Sequence, residues 1–364
     1  MKNNIAIPFI DLHAQQQRIK KQIDENIQKV LAHGQYIQGP EITTLEKELS
    51  KYLEVKHSMV CANGTVALQL ALMALGVGPG DEVITVPFSF FATAEAILLV
   101  GATPVFIDID SKTYNMNAAL LEDAITLKTK AIIPVSLYGQ CADFTAINAI
   151  AEKYGLPVIE DAAQSFGAQH HGKKSCGLST IACTSFFPSK PLGGYGDGGA
   201  CFTNDDAIAQ KIRMILNHGQ KERYVHEVIG TNARLSTLHA AILLPKLAIF
   251  PDELQARQQV AAWYKKYLPE QYPAPFVESF NLSAYGQFTI RVQGREKLQE
   301  YLKERGIPTA VHYPIPLNQQ PVFKNEVFAQ QHFPHSEKAA REVMSLPFHP
   351  YMTEEIVKKI TQAL

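Results

Sequence analysis

The chain has 364 residues, of which 46% are apolar and 19% charged, with 34 basic and 35 acidic side chains and a formal net charge of -1. This composition excludes intrinsic disorder, and the balanced charge gives no sign of a nucleic acid or an anionic membrane as partner. At about 100–200 residues per domain, the length predicts about two domains. The most apolar stretch, residues 88–107, is a poor membrane span because Glu95, Gly101 and Pro104 interrupt it.

The cysteines indicate a reducing compartment. Their number is odd and no pair has the CxxC spacing, which argues against a disulfide framework or a redox motif in a chain this long. The apolar run before Asp11 is too short for the core of a secretion signal. The sequence therefore predicts a cytoplasmic protein with five free thiols at Cys61, Cys141, Cys176, Cys183 and Cys201.

Between residues 60 and about 205, helical patterns alternate with short apolar runs, and each of these runs is bounded by turn residues. Strands that alternate with helices of about 10–15 residues predict βαβ units and a mostly parallel sheet. In chain order, the predicted elements are a helix over 64–75, a strand over 82–86, a helix over 91–100, a strand over 104–107, a helix over 117–125, a strand over 131–135, a helix over 143–154 and a strand over 157–161.

Two more apolar runs, 181–187 and 199–203, precede an amphipathic helix over 205–217. A helical stretch over 235–263 is then predicted to lead into a smaller C-terminal α+β domain, which holds the segments 288–292, 297–305 and 309–317. The sequence thus predicts a large α/β domain over residues 1–250 and a small domain over residues 251–364.

The most informative segment surrounds Lys190, which lies between an apolar run and a glycine-rich loop and is flanked by Pro188 and Pro191. A lysine in such surroundings can be kept neutral and can form a Schiff base. The alternative is an ordinary lysine in a surface loop. A dinucleotide-binding loop is rejected, because no G-x-G-x-x-G here follows a strand and opens a helix.

Two other segments suggest groups that would work with such a lysine. Asp161 ends a buried strand, and ligands bind outside the carboxyl ends of parallel strands. Its carboxylate can keep a pyridine nitrogen protonated, which makes pyridoxal phosphate an electron sink, or it can simply cap the next helix. Gly64 and Thr65 open a helix, where backbone N–H groups bind phosphate, although plain capping by Asn63 or Thr65 would look the same.

A phosphate cradle, a carboxylate and a lysine in this order on one α/β scaffold point to a pyridoxal phosphate enzyme. Over nearly its whole length the chain resembles the DegT/DnrJ/EryC1/StrS sugar aminotransferases, which have the type I fold of pyridoxal phosphate enzymes. The segments that carry the resemblance are Asn63–Gly64–Thr65, Glu160–Asp161–Ala162–Ala163–Gln164, Ser185–Phe186–Phe187–Pro188–Ser189–Lys190 and Gly230–Thr231–Asn232–Ala233–Arg234–Leu235.

The resemblance implies a role for each matching residue. Lys190 forms the Schiff base and later moves a proton, Asp161 pairs with the pyridinium nitrogen, and Gln164 lies near the ring hydroxyl. Gly64, Thr65 and Ser185 bind the phosphate, Phe90 stacks on the ring, and Asn232 reaches the phosphate of the neighbouring subunit, so that the active unit is a homodimer. Residues expected to contact the nucleotide sugar are Gly34, Tyr36, Ser189, Arg234, His312 and Tyr313.

Three further segments, 33–41, 135–144 and 310–317, resemble a subgroup that transfers an amino group from L-glutamate to a UDP-linked 3-keto-hexuronic acid for O-antigen synthesis. Other nucleotide ketosugars, including 4-ketosugars, and a glutamine-dependent cyclitol substrate remain alternatives. A dehydratase of the same fold is disfavoured, because such relatives replace the lysine with histidine. A pyridoxal-phosphate-binding regulator without turnover is a further alternative. No histidine or cysteine spacing matches a zinc pattern, and no metal is expected.

Overall fold

A computed structural model describes residues 7–364, which form ten α-helices, fourteen β-strands and several 3-10 turns. The helices are α1 (Leu12–His33), α2 (Pro40–Leu53), α3 (Gly64–Ala74), α4 (Ala92–Leu99), α5 (Phe144–Lys153), α6 (Asp206–Ile215), α7 (Thr237–Tyr267), α8 (Arg295–Glu304), α9 (Pro334–Glu342) and α10 (Glu354–Thr361). The strands are β1 (His57–Cys61), β2 (Glu82–Thr85), β3 (Thr103–Phe106), β4 (Thr129–Ile132), β5 (Ile159–Asp161), β6 (Gln169–His170), β7 (Lys173–Lys174), β8 (Ile181–Ser185), β9 (Gly199–Thr203), β10 (Gln220–Glu222), β11 (Val225–His226), β12 (Asn281–Leu282), β13 (Phe288–Arg291) and β14 (Val343–Leu346).

Seven strands form the central sheet. Four pair in the order β1-β9-β8-β5 and three in the order β3-β2-β4. Parallel bridges from Ile132 to Val158 and from Val135 to Asp161 join the two groups between β4 and β5. Only β9 runs against its neighbours, since it pairs antiparallel with both β1 and β8. The predicted mostly parallel, mixed sheet is confirmed.

Helices cover both faces of this sheet, which explains why its strands are nearly continuous apolar runs. On β9, Cys201 packs into a core with α3 and α6, while the next residue, Phe202, packs into a core with α2 and α7. Both side chains are completely buried. Burial on both faces leaves the strand ends as the places where polar side chains can meet a ligand.

The N-terminal helices α1 and α2 were not among the predicted elements. Asp11 caps α1, because its carboxylate accepts a hydrogen bond of 2.8 Å from the N–H of Ala14. Ile19, Ile23 and Val30 form the buried stripe of this helix, at the spacing that an amphipathic helix requires. Both helices pack against α7. The cap and the stripe are sequence signals that could have revealed α1.

The C-terminal part is built around the antiparallel pair of β13 and β14, with its own core that includes Phe288, Met344 and the end of α7. Segment 309–317 forms no strand there, and its backbone pairs with these strands through a single bridge from Ala310 to Ser345. Helix α7 continues through residue 250 without interruption. The division at residues 250 and 251 therefore stays a prediction.

The predicted helix over 117–125 is wrong. The segment forms two 3-10 turns, Ala118–Leu120 and Glu122–Ala124. Leu121 is its only fully buried side chain, so the segment lacks the apolar stripe that stabilises a short α-helix by packing. The other helices predicted between residues 64 and 217 are confirmed, with ends that shift by one or two residues.

No helix within residues 7–364 has the length and apolar character needed to cross a membrane. Residues 1–6, which make up most of the N-terminal stretch considered above for a secretion signal, lie outside the described part of the chain.

Two loops cross closely beside the carboxyl ends of the central strands. Gly139 has a φ of +103°, and a Cβ built on it would lie 2.5 Å from the backbone nitrogens of both Tyr285 and Gly286. The N–H of Ala284 donates a 2.7 Å hydrogen bond to the carbonyl of Gly139. Only glycine fits this crossing, because both the φ angle and the space exclude a side chain.

We expect Gly139→Ala to lower the free energy of unfolding by about 1–3 kcal/mol more than Gly155→Ala does, because only the Cβ at residue 139 would overlap neighbouring backbone atoms. Gly155 is the matched control, because its φ of +64° carries the same kind of strain but no atom lies within 4 Å of its added Cβ. Urea denaturation of the cofactor-free variants measures the difference. Equal losses of unfolding free energy in the two variants would show that the two loops can move apart at residue 139 without an energetic cost.

Candidate active site

A cavity of about 650 Å³ lies where β5 and β8 end and where α3 begins. Its wall contains ten of the fourteen predicted site residues. These are Gly64, Thr65, Phe90, Asp161, Gln164, Ser185, Ser189, Lys190, His312 and Tyr313. The fold thus brings together segments that lie up to 249 residues apart in the sequence, from Gly64 to Tyr313.

Lys190 lies in the loop after β8, and its backbone N–H closes a tight turn with a 2.9 Å hydrogen bond to the carbonyl of Phe187. Its side chain reaches the cavity, yet protein surrounds it on the other sides. This burial lowers the pKa of the ammonium group, while the nearby charge of Asp161 opposes the shift. A lysine amine with a lowered pKa is a better nucleophile and proton acceptor near neutral pH.

Asp161 ends β5 and is almost completely buried. One carboxylate oxygen accepts a 2.7 Å hydrogen bond from the hydroxyl of Thr93, and the other accepts a 3.2 Å hydrogen bond from the N–H of Ala163. Burial raises the pKa of this carboxyl group, and both hydrogen bonds act against that rise. The site therefore holds a desolvated carboxylate that a cation in the cavity would stabilise.

The neighbouring Glu160 does not line the cavity, because successive residues of a strand point to opposite faces. Its carboxylate accepts hydrogen bonds from the hydroxyls of Ser136 and Ser175 and from the N–H of Cys176, at 3.0, 2.7 and 2.8 Å. Burial raises the pKa of Glu160 to about 7. Asp161 thus lines the cavity, whereas Glu160 forms hydrogen bonds with the loops behind it.

The first turn of α3 offers an anion-binding surface. Asn63 caps the helix by accepting a 2.8 Å hydrogen bond from the N–H of Val66, so capping is confirmed. The N–H groups of Gly64 and Thr65 have no acceptor within the helix and remain available. A Cβ on Gly64 would lie 2.8 Å from the Cβ of Ser185, so the glycine lets the helix end and this serine share one small cradle. Such a cradle fits a phosphate group.

Gln164 and two aromatic rings form another wall of the cavity. The amide oxygen of Gln164 accepts a 3.0 Å hydrogen bond from the N–H of Tyr138, and its amide nitrogen donates one of 3.1 Å to the hydroxyl of Tyr313. The ring of Phe90 is 54% exposed and lies 5.8 Å from that of Tyr313. An aromatic face open to the cavity can stack on a flat ligand.

His312 contributes an uncharged ring to the cavity. Burial lowers its pKa to about 4, and the positive charge of Lys190 acts in the same direction. The ring nitrogen Nδ1 lies 3.0 Å from the hydroxyl of Ser345. At neutral pH this histidine is therefore a hydrogen-bonding group and not a cation.

Residues 7–364 of one chain form this cavity wall. Four predicted residues lie outside it, namely Gly34, Tyr36, Asn232 and Arg234. Gly34 ends α1, and Tyr36 is 47% exposed. Arg234 donates hydrogen bonds of 2.7 Å to the amide oxygens of both Asn217 and Asn232. The roles expected for these four residues, like those expected for the ten residues of the wall, stay predictions.

Sequence reasoning missed several residues of this region, among them Thr93 and Gln287. Thr93, which holds Asp161, lies four positions after Ser89 on an otherwise apolar segment, and its hydroxyl is 3.2 Å from that of Ser89. Two polar residues at helical spacing on a buried face were the signal. Gln287, in the cavity wall, immediately precedes β13 and left no such signal.

Among residues 7–364, no group of three or more histidine, cysteine, aspartate or glutamate side chains has an arrangement that could hold a metal ion.

The family model described as "DegT/DnrJ/EryC1/StrS aminotransferase family" matches residues 17–364. The chain is 61% identical over 359 residues to the UDP-2-acetamido-2-deoxy-3-oxo-D-glucuronate aminotransferase of Pseudomonas aeruginosa, covering 98% of this chain and 99% of that protein. It is 46% identical to a pleiotropic regulatory protein of Geobacillus stearothermophilus, with 98% of each chain covered. It is 44% identical to a UDP-N-acetyl-3-dehydro-alpha-D-glucosamine 3-aminotransferase of Acidithiobacillus ferrooxidans, with 100% of this chain and 98% of that protein covered.

Solved structures are similar over the same length. A DegT DnrJ EryC1 StrS aminotransferase from Brucella abortus has a TM-score of 0.95 and 44% identity, with 98% of each chain covered. NtdA from Bacillus subtilis, solved with bound cofactor PMP, has a TM-score of 0.89 and 31% identity, with 98% of this chain and 82% of that chain covered. The expected fold is confirmed by these similarities. The chain belongs to the DegT/DnrJ/EryC1/StrS aminotransferase family, whose members depend on pyridoxal phosphate.

Proposed function

We propose that this protein transfers the amino group of L-glutamate to UDP-2-acetamido-2-deoxy-3-oxo-D-glucuronate, a UDP-linked 3-keto-hexuronic acid. The observation that carries the chemistry is a lysine of lowered pKa that shares one cavity with a buried carboxylate and an anion-binding helix end. The 61% identity to the Pseudomonas aeruginosa enzyme supports the choice of sugar. The 3-amino product would serve lipopolysaccharide O-antigen synthesis.

The residues of the cavity fit pyridoxal phosphate. Gly64, Thr65 and Ser185 would hold the phosphate, Asp161 the ring nitrogen, and Lys190 the reactive carbon. Gln164 would lie beside the ring hydroxyl, and Phe90 would stack on the ring. When bound, this cofactor supplies the electron sink that amino-group transfer requires.

Lys190 would also move the proton. When it is free, its Nζ atom can take the α-proton of the donor amino acid and deliver it to the reactive carbon of the cofactor. The lowered pKa favours the neutral amine that this task needs. A positioned general base contributes about 10²–10⁴-fold to the rate.

Thr93 would keep Asp161 ionised. Its hydroxyl donates to the carboxylate, and a hydrogen bond to the charged form favours that form. Since burial alone raises the pKa of Asp161, this bond limits the fraction of the carboxyl that is protonated at neutral pH. An ionised Asp161 is the form that can pair with a protonated ring nitrogen.

A second copy of the chain would complete the site. A UDP-linked uronate carries a diphosphate and a carboxylate, whereas Lys190 is the only lysine or arginine in the cavity wall that residues 7–364 of one chain form. The further groups for the sugar nucleotide would then include Gly34, Tyr36 and Arg234, and Asn232 would reach the cofactor phosphate of the partner. Ser189, His312 and Tyr313 would contact the sugar from within the cavity. This argument favours a homodimer with shared sites.

We place the protein in the cytoplasm, because its five cysteines are all buried free thiols, as a reducing compartment maintains them.

The reverse half-reaction tests the proposed substrate, because an amino sugar is more stable than a ketosugar. The protein loaded with pyridoxal phosphate is mixed with UDP-2-acetamido-3-amino-2,3-dideoxyglucuronate and no keto acid. We expect the near-visible absorbance of the bound cofactor to change from the pyridoxal to the pyridoxamine form.

The same experiment with the 3-amino sugar that lacks the C6 carboxylate, and with 4-amino nucleotide sugars, separates the alternatives. A response to the sugar without the carboxylate alone would place the protein with the Acidithiobacillus ferrooxidans relative. A response to 4-amino sugars alone would reject the 3-keto substrate. A protein that binds the cofactor but responds to neither amino sugars nor L-glutamate would be a regulator.

We expect Lys190→Ala to lower turnover by at least about 10²–10⁴-fold while the fold remains, because the variant loses the amine that moves the proton. Steady-state turnover and the melting temperature of the cofactor-free protein measure the two effects. Lys173→Ala, at an exposed lysine outside the cavity, is the control and should keep normal turnover. Turnover near the wild-type rate in Lys190→Ala would contradict the assignment.

We expect Thr93→Val to reduce the free energy of unfolding by about 1.5–3 kcal/mol at pH 8, because the buried carboxylate loses its hydroxyl donor. The loss should shrink as the pH falls. Because burial raises the pKa of Asp161, this carboxyl gains its proton at a higher pH than an unfolded aspartate would, and the protonated form has less need of the donor.

Thr85→Val is the matched control for Thr93→Val. Thr85 is equally buried, but its hydroxyl donates to the carbonyl of Ile133, which does not titrate. Its loss should be about 0.5–1.5 kcal/mol and independent of pH. Denaturation of both cofactor-free variants at pH 5 and pH 8 gives the comparison, and a loss in Thr93→Val without pH dependence would reject the proposed role.

We expect Asn232→Ala to weaken cofactor retention by roughly tenfold or more, because a charged phosphate loses a hydrogen-bond donor. Fluorescence of cofactor released on dilution measures retention. Mixing Asn232→Ala with Lys190→Ala tests whether the residue acts across the dimer. If it does, mixed dimers contain one site with both natural residues and regain activity, whereas action within one chain gives no recovery.

A further inference from the structure

The loop that carries Lys190 folds back on itself at Gly193. A Cβ built on Gly193 would lie 2.4 and 2.7 Å from the carbonyl oxygens of Pro188 and Phe187. The same carbonyl of Phe187 accepts the 2.9 Å hydrogen bond from the N–H of Lys190. A group that fixes Gly193 therefore also fixes the turn from which the side chain of Lys190 extends.

A buried lysine of helix α7 contacts this loop. Lys246 is inaccessible to solvent, and its ammonium group donates a 2.6 Å hydrogen bond to the carbonyl of Gly193. The same ammonium group lies 4.4 Å from the centroid of the Tyr195 ring, within the range of a cation–π interaction. Leu192 of the loop packs into one core with Leu243 of the helix. Polar and apolar contacts together thus attach the loop to α7.

The ammonium group of Lys246 lies in costly surroundings. Burial lowers the pKa of Lys246 to about 8, and the charge of Glu253 opposes this shift. The carboxylate of Glu253 itself accepts hydrogen bonds of 3.0 and 2.8 Å from the amide of Gln15. A buried cation is tolerated where hydrogen bonds compensate it, and the carbonyl of Gly193 does so here. Because its donor is charged, this hydrogen bond is stronger than one between neutral groups.

We propose that Lys246 is a positioning residue whose ammonium group fixes Gly193 and thereby sets the place of Lys190 in the cavity. The inference rests on the proposed function, since it assumes that Lys190 is the residue that bonds to the cofactor. It adds a residue of α7 that lies outside the described cavity wall and acts through the backbone of the loop.

The test separates the covalent bond to Lys190 from binding of the cofactor as a whole. The aldehyde of pyridoxal phosphate forms a Schiff base with Nζ of Lys190 and releases water, and a near-visible absorbance band reports this step. Pyridoxamine phosphate has an amine in place of the aldehyde, so it can enter the same cavity but cannot form that bond. A misplaced Lys190 slows the first process and leaves the second unchanged.

We expect Lys246→Met to slow formation of the Schiff base by about 10-fold or more, because a small misplacement of a reacting group has a large effect on rate. The dissociation constant of pyridoxamine phosphate should stay unchanged. Methionine fills most of the space of the lysine side chain but has no donor for the carbonyl of Gly193. Stopped-flow absorbance and titration calorimetry on the full-length, cofactor-free chain give the two quantities.

Tyr264→Phe is the matched control. Tyr264 is equally buried near the C-terminal end of the same helix, and its hydroxyl donates a 2.7 Å hydrogen bond to the carbonyl of Pro347. Its loss should lower the melting temperature but leave the rate of Schiff base formation unchanged. Lys190→Ala should show no absorbance band. A band that persists in Lys190→Ala would overturn the proposed role of Lys190, whatever the result for Lys246→Met.

Each other outcome rejects the inference. An unchanged rate in Lys246→Met would show that the loop is placed without this lysine. An equal loss of rate and of pyridoxamine phosphate affinity would make Lys246 a support of the whole cavity, and an equal loss of rate in Tyr264→Phe would point to a general loosening of α7. If Lys246→Met does not fold, the same measurements and criteria apply to Lys246→Gln, which keeps an N–H donor on a shorter side chain.

Discussion

The burial of one carboxylate at the end of β5 is the constraint on which the site depends. Asp161 is almost inaccessible, and a desolvated charge is tolerated only where hydrogen bonds or an opposite charge compensate it. Thr93 and Ala163 supply the hydrogen bonds, and Lys190 supplies the charge. Carboxylate and lysine shift each other toward their charged forms, while burial shifts both toward their neutral forms. The lowered pKa of Lys190 results from this balance.

The sheet topology makes that balance available to a ligand. Strands β5 and β8 are parallel neighbours with Asp161 paired to Cys183, so the chain leaves both strands at the same edge. The loop after β8 then carries Lys190 back over that edge. The antiparallel β9 brings Gly199 against the backbone of Asn63, where an added Cβ would lie 2.5 Å from its carbonyl carbon. Helix α3 thereby begins next to Ser185. One edge of one sheet thus positions the lysine, the carboxylate and the anion-binding turn.

The sequence predicted most of the residues at this edge of the sheet, but not the residues that hold them in place. Apolar strand patterns and the glycine and proline punctuation sufficed for the order of the large α/β part, and the motifs around Gly64, Asp161 and Lys190 identified the cavity. Patterns of this kind report local burial. They cannot identify Thr93, whose importance comes from its hydrogen bond to a carboxylate 68 residues away. The helix predicted over 117–125 failed because Leu121 is the only fully buried side chain of that segment, which lacks the apolar stripe of a short α-helix.

The contacts of Arg234 have a consequence for the direction in which Asn232 can interact. A carboxamide presents an oxygen on one side and an NH₂ group on the other. The guanidinium of Arg234 donates a hydrogen bond to the amide oxygen of Asn232 and another to the amide oxygen of Asn217. Turning the amide over would set its NH₂ against a cation. Asn232 is thereby locked with its two N–H bonds directed away from Arg234, so this exposed side chain has a fixed polarity and offers donors to whatever anion meets it.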